Sequence, residues 1–315
     1  MRAAAERSGL VRAAPVLALA ALGTSSGAVL VRLADAPAAV TAFWRLALSV
    51  ALLLPALAAT RGWREWRVLG RRELALLPLA GACLAFHFIA WFRSLDYTSV
   101  ASSTVLVSMH PLFVGALSAL WLREPPGRVE WAGIVIAVLG AACIGWGDFL
   151  SGPDPLRGDL LAIAAAGFGA LYFAVGRRLR ARLGIWSYTV PVYAAAAAAC
   201  AGVAVAGGSP LGGWSAGTWG AFVGLALGPM LLGHTGFNWA LRHVRAYVVS
   251  LVQMLEPIGA TVLAVLVLGR HEIPGWNTWL GGALILVGVW LPLRARLRAQ
   301  APVGPADGTE QGGEA

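Results

Sequence analysis

The 315-residue chain has no lysine; all 24 of its basic residues are arginine. A Walker A phosphate loop needs its lysine and Schiff-base catalysis needs a lysine amine, so both chemistries are excluded. Charge of any sign is scarce, at 12% of residues, while 58% are hydrophobic and the mean hydropathy is +0.72. A soluble domain of this size covers itself in polar side chains; this composition marks lipid as the solvent. Cysteine is sparse. Cys83, Cys143 and Cys200 are scattered through apolar runs, which excludes a disulfide framework or a CxxC metal site and leaves small packing residues. The strict polar–apolar alternation of a membrane β-barrel is also missing, because the apolar runs are continuous and rich in Ala and Leu.

Ten apolar segments remain, at 13–33, 38–58, 74–94, 100–122, 129–147, 159–178, 186–207, 215–240, 246–269 and 277–296. Each is near the length needed to cross about 30 Å of hydrocarbon. The run after Arg2, Arg7 and Arg12 continues past Val29, too long for a signal-peptide core, and is expected to be the first retained span. With a cytoplasmic N-terminus, the loops on that side receive Arg61, Arg64, Arg67, Arg71 and Arg72, then Arg123 and Arg128, then the Arg177–Arg182 cluster, Arg242 and Arg245, and finally Arg294, Arg296 and Arg298. The other side receives only Arg32, Arg93, Arg157 and Arg270. This bias predicts a multi-pass protein of the inner (plasma) membrane with both termini cytoplasmic. The net charge of +9 is thereby spent on topology, and no nucleic-acid partner is expected.

The chain also repeats itself. A shift of about 146 residues places His110-Pro111 on Glu256-Pro257 and Ser94-Leu95 on Ala240-Leu241; after a two-residue gap, Trp131, Gly133 and Gly140 fall on Trp279, Gly281 and Gly288. Five spans per copy is an odd number, so the second copy starts on the opposite face. The expected architecture is all-α and integral to the membrane: ten transmembrane helices as two inverted five-helix repeats. The divisions are a cytoplasmic N-terminus at 1–12, a first repeat at 13–147, a linker at 148–158, a second repeat at 159–296 and a disordered cytoplasmic tail at 297–315.

Several short motifs occur in order along these spans: Phe43-Trp44-Arg45, the Leu95–Ser99 run, Gly158–Ala162, Gly176–Leu179 and Leu255-Glu256-Pro257. Together they resemble the EamA family of the drug/metabolite transporter superfamily, over roughly residues 13–296. The resemblance implies two EamA-type repeats in a ten-helix exporter or facilitator of small metabolites, often amino acids or related compounds. The chain departs from the family where Gly23-Thr24 replaces Trp-Gly in the first helix and His110-Pro111 replaces Ser-Pro in the fourth, so substrate identity does not carry over.

Ionisable groups inside the spans are the functional candidates. An ionisable side chain at mid-bilayer costs about 2.5–3.5 kcal/mol, so it faces a cavity or a partner. Glu256 and His110 hold matching positions, each followed by proline. Pro111 and Pro257 remove the hydrogen bonds otherwise given to the carbonyls of Val107 and Gln253, and kink their helices. Both residues are read as contacting solute or a coupling proton, or else as bridging helices. His87, His234 and Asn238 join them as pathway or helix-bridging residues, Asn238 one turn after His234. Tyr172 and Trp91 are candidate substrate-facing aromatics. Arg45 binds a solute carboxylate or pairs structurally with a neighbour. Gly23-Thr24-Ser25-Ser26-Gly27 fits G-x-S-x-G; lying mid-span, it reads as close helix packing with Ser25 or Ser26 at the cavity. No HxxxH or ExxH spacing supports a metal, and no cofactor is expected.

The expected activity is secondary transport of a small organic solute by alternating access, as an exporter rather than an enzyme. Proton coupling and a homodimer are allowed but not required. Two alternatives are an intramembrane serine hydrolase centred on Ser25 and a non-transporting membrane subunit.

Overall fold

The computed structural model describes residues 2–98, 100–144, 146, 152–268 and 275–298. Among them the chain runs from helix to helix without a β-strand. The first apolar run forms α1 (Arg2–Ser25) and α2 (Gly27–Leu33). Next come α3 (Ala38–Ala59), a 3₁₀ turn over Gly62–Val68 and α4 (Arg71–Ser94). The fourth run is split into α5 (Val100–Val107) and α6 (His110–Leu120), and α7 (Arg128–Ile144) follows. The second half holds α8 (Pro155–Arg180), α9 (Ile185–Ala206) and α10 (Ala216–Leu225), then a π-helical stretch over Ala226–His234 that leads into α11 (Thr235–Ala240). It closes with α12 (Ala246–Gln253), α13 (Glu256–Leu268) and α14 (Trp276–Arg298). The expected tail beyond residue 298 and the start of the expected 148–158 linker, residues 148–151, lie outside the described residues.

Among the described residues eight helical stretches are long and apolar enough to cross a bilayer. The expected fifth and ninth spans are not among those eight: the described part of the fifth is α7, with 17 residues, and the ninth is described as α12 and α13. The polarity of the fold is inverted relative to a soluble protein. Leu120 is 84% exposed and Leu22 65%, whereas Arg45 is 1% and Asn238 0% exposed. In hydrocarbon every backbone group must find its partner within the chain, and helices achieve this. Helix ends are tied locally. Asp154 accepts from the Arg157 N–H, with Pro155 in the first turn of α8 where no donor is needed. Ser215 likewise accepts from Thr218.

The sequence repeat is also a structural one. Val100 and Ala246, Val107 and Gln253, and His110 and Glu256 are equivalent helix ends, each 146 residues apart. The breaks match in detail. Before His110 the Met109 N–H bonds the Leu106 carbonyl, and before Glu256 the Leu255 N–H bonds that of Val252. Each is a tightened three-residue step where the following proline has no N–H to continue the α-helix. The expected kinks thus fall at local breaks in the α-helical hydrogen bonding, where the backbone stays right-handed helical through Met109. The first run is also interrupted, at Ser26, and helix already begins at Arg2 within the expected N-terminal segment.

Copy packs on copy along the length of the bundle: α3 on α9, α6 on α12 and α7 on α14. The last pair is antiparallel and reciprocal. The space a Cβ would need at Gly133 is taken by the Gly288 carbonyl oxygen, and that at Gly288 by the Gly133 oxygen, both at 2.6 Å. Gly140 and Gly281 oppose each other in the same way. A pair that exchanges contacts like this is the signature of a two-fold relation. It joins the glycines that the 146-residue shift, after its gap, set in register.

Candidate functional site

The two helix breaks face one cavity. Its volume is about 50 Å³, room for a few waters. From the first break it is lined by Thr104, Val107, Ser108, His110 and Pro111; from the second by Ser250, Gln253, Met254, Glu256 and Pro257. These are five equivalent pairs at the 146-residue shift. Thr104, Val107 and His110 are spaced by three residues, as are Ser250, Gln253 and Glu256, so each set forms one helical stripe. The proline at each break removes a donor to the Val107 or Gln253 carbonyl, and both residues stand at the cavity.

Other helices supply the remaining wall. Thr24 and Gly27 come from the first apolar run, Arg45 from α3, and His87 and Trp91 from α4. Pro229 and His234 come from the π stretch. That stretch forms around Pro229, whose ring would clash with the preceding turn of an α-helix, and the wider winding relieves the clash. Thr235 Oγ1 bonds the Met230 carbonyl five residues back at 3.2 Å, occupying an acceptor in the widened turn.

The histidines are held by specific neighbours. His87 Nδ1 donates to the Ala165 carbonyl at 2.8 Å, which leaves Nε2 as the free ring nitrogen. Gly169 of α8 admits both rings: a Cβ there would lie 2.9 Å from His87 Nδ1 and 3.2 Å from His110 Cδ2. The His110 ring stands edge-on to Phe173 at 4.9 Å. The His234 ring lies 6.4 Å from that of His87, and its Nδ1 has no hydrogen-bond partner on the protein. Arg45 lays its guanidinium over the Phe88 ring at 4.1 Å. Its Nε and Nη1 have no acceptor on the protein. Among the described residues no ion pair joins Arg45 to Glu256, although both line the cavity.

The structure thus gathers Glu256, His110, His87, His234, Trp91, Arg45, Pro111 and Pro257 around one space. Four expected pathway residues lie elsewhere. Asn238 Nδ2 donates to the hydroxyls of Tyr172 and Tyr193, so Asn238 and Tyr172 form a buried knot linking α11, α8 and α9 rather than a polar stripe or a substrate face. Ser25 donates to the Ala21 carbonyl at 2.8 Å and packs against Gly259; Ser26 donates to the Gly23 carbonyl. Neither serine lines the cavity, because each hydroxyl turns back on its own helix and the small residues serve helix packing. No group of three or more potential metal ligands occurs among the described residues. Sequence reasoning missed the side chains of Thr104, Ser250 and Gln253. The signal for all three was the three-residue stripe running back from each of His110 and Glu256.

The EamA-like transporter family matches residues 12–146 and 156–294. The uncharacterized transporter YdfC of Bacillus subtilis (strain 168) is 26% identical over 225 residues, 68% of this chain and 69% of that protein. The pseudopaline exporter CntI of Pseudomonas aeruginosa is 32% identical over 112 residues, spanning 35% of this chain and 37% of its own length. One crystal structure of a protein shares the fold, with a TM-score of 0.77 at 20% sequence identity, over 92% of this chain and 99% of that one. With both halves matched in order, on a multi-pass helical bundle whose two copies share a polar cavity, the chain belongs to the EamA-like transporter family.

Proposed function

We propose that this membrane transporter is a secondary exporter of small organic solutes. It works by alternating access between two inverted five-helix repeats, near 13–147 and 159–296, with ten crossings and both termini cytoplasmic. The carrying observation is the cavity lined by five equivalent residue pairs, one member from each copy. A site shared across a pseudo-two-fold axis is what rocking of one repeat against the other exposes to each side in turn. The breaks before His110 and Glu256 supply the bending points. The antiparallel α7–α14 seam supports the inversion, since a same-sense repeat would not set its last helices head to tail. Arginine placement supports the orientation. The name of CntI as an exporter favours outward flux.

In this mechanism Glu256 and His110 face the solute across the axis, with His87 and His234 behind them, and these groups are available to a coupling proton. Arginine-rich ends are drawn together on the expected cytoplasmic side. Arg177 of α8 pairs with Glu124 at 2.8 Å and donates to the Leu241 carbonyl at 2.7 Å, joining segments of both copies. The test is metabolite release from cells with and without the protein, then flux in proteoliposomes. Glu256→Gln should abolish flux at unchanged membrane abundance. Undiminished flux in that variant removes Glu256 from the mechanism, and no flux of any solute with the intact protein removes the transport reading.

A further inference from the structure

We propose that Arg45 is the binding point for a carboxylate, and that the solute moved through the cavity is therefore a small carboxylic acid; this rests on the transport reading above. Three observations carry it. Arg45 is 1% exposed and lines the cavity, yet Nε and Nη1 meet no acceptor on the protein. Burying a charge without a hydrogen-bonding partner is costly, and the Phe88 ring offers a π face but no lone pair. Glu256 is near enough to interact with Arg45 through space but makes no direct ion pair or hydrogen bond with it, and its side chain bonds Thr24 and Gln253. An acceptor for the guanidinium must therefore arrive from the cavity.

The surroundings select an anion with a planar fork. α6 and α13 both begin at the cavity, with His110 and Glu256 as their first residues, but α5 and α12 end there at Val107 and Gln253, so the helix dipoles offset one another and the preference for an anion rests on Arg45. Guanidinium matches carboxylate bidentately. The anchor also comes from one copy only: the position 146 residues after Arg45 is Pro191, which carries no charge. One cation therefore serves the site, as a monocarboxylate needs. Trp91, Val107, Met254 and Pro229 supply apolar wall for the rest of the solute. Glu256 across the same space disfavours a second carboxylate on the ligand.

The test begins with the intact protein in detergent. Thermal unfolding is recorded against the proteinogenic amino acids and a set of simple monocarboxylates, each paired with its own primary amide. At least one acid should raise the unfolding midpoint, and its amide should bind at least about 100-fold more weakly, because a site built for a charged acceptor rejects the isostere lacking it. Arg45→Lys should retain the acid about tenfold more weakly, since the point charge survives but the fork does not. Arg45→Met should lose the preference for acid over amide. If an amide or an amine binds as tightly as its acid to the intact protein, the proposal is overturned while transport stands. Equal acid affinity in Arg45→Met overturns it too. If no solute of any charge binds or is moved, the transport reading falls and takes this proposal with it. The acid–amide comparison needs no variant, so a poorly folding Arg45→Met leaves the test intact.

Discussion

Alanine at Gly288 should weaken the α7–α14 seam measurably, and the magnitude follows from the contact. A Cβ there would lie 2.6 Å from the Gly133 oxygen and the Ala137 nitrogen and 2.7 Å from the Ala137 Cβ, against the 3.4–4 Å of ordinary contact. The obstructing atoms include backbone, so no rotamer change relieves them and the helices must part by about 1 Å. Overpacking of this kind costs about 1–3 kcal/mol, and the better helix propensity of alanine returns about 0.5–1 kcal/mol. The net loss lies within about 0–2.5 kcal/mol and centres on about 1 kcal/mol. Gly140→Ala should cost about as much, because a Cβ there would meet the Gly281 oxygen at 2.7 Å and the Ile285 nitrogen at 2.8 Å. The double variant should cost less than the two together, since helices already parted by one methyl accept the second more easily. Gly220→Ala is the control: nothing lies within 4 Å of its Cβ position, so it should gain about 0.5–1 kcal/mol. Denaturant titration in micelles, followed by tryptophan emission, reads all four. If Gly288→Ala and Gly220→Ala shift stability in the same direction, the reciprocal seam is refuted.

Three further outcomes follow. Gly169→Ala should push the His87 ring off the Ala165 carbonyl and cut flux roughly tenfold, about the worth of one hydrogen bond, with abundance unchanged; full flux would show that the placement of this ring is immaterial. Ser25→Ala should leave flux intact and the wild type should resist a serine-reactive fluorophosphonate, because the hydroxyl is turned to its own helix; labelling lost in the variant would revive the hydrolase alternative. Asn238→Ala should lower stability by about 1–3 kcal/mol by leaving the Tyr172 and Tyr193 hydroxyls without their shared donor, measured by the same titration; a neutral change would mean that the two tyrosines find other partners.

The features legible in the sequence were those governed by composition and by register. Lipid as solvent follows from apolar content alone. Both breaks were foreshadowed by His110-Pro111 and Glu256-Pro257, because the missing N–H of proline is a local fact. The Gly133–Gly288 and Gly140–Gly281 pairs were visible as repeated glycines, although only the fold shows that they meet. Illegible features depended on contacts between distant helices. Asn238 and His234 looked alike, two polar residues four apart on one helix, yet one is buried in a tyrosine knot and the other faces the cavity. The π winding at Ala226–His234 helps to set that face, and Pro229 alone does not announce it. Tyr172 had no feature of its own to separate it from Trp91.

Repetition locates the site, and departure from repetition equips it. Thr104 and Ser250 are alike in chemistry, as are Pro111 and Pro257, so the two breaks share a scaffold. Val107 and Gln253, and His110 and Glu256, differ at equivalent places, so the second copy carries the acid and the amide. Arg45 comes from the first copy, with no charged counterpart in the second. Cation and anion therefore belong to different copies and are not bonded to each other across the cavity. A rocking motion that moved the copies against one another would change the distance between these two charges. Under the proposed alternating access their interaction would differ between inward-open and outward-open states, and a solute that neutralised Arg45 would bias that equilibrium by as much as it bound the two states unequally. On the proposed reading, coupling of solute to conformation would have its physical seat in Arg45 and Glu256, and it would be lost if each copy carried its own matched ion pair.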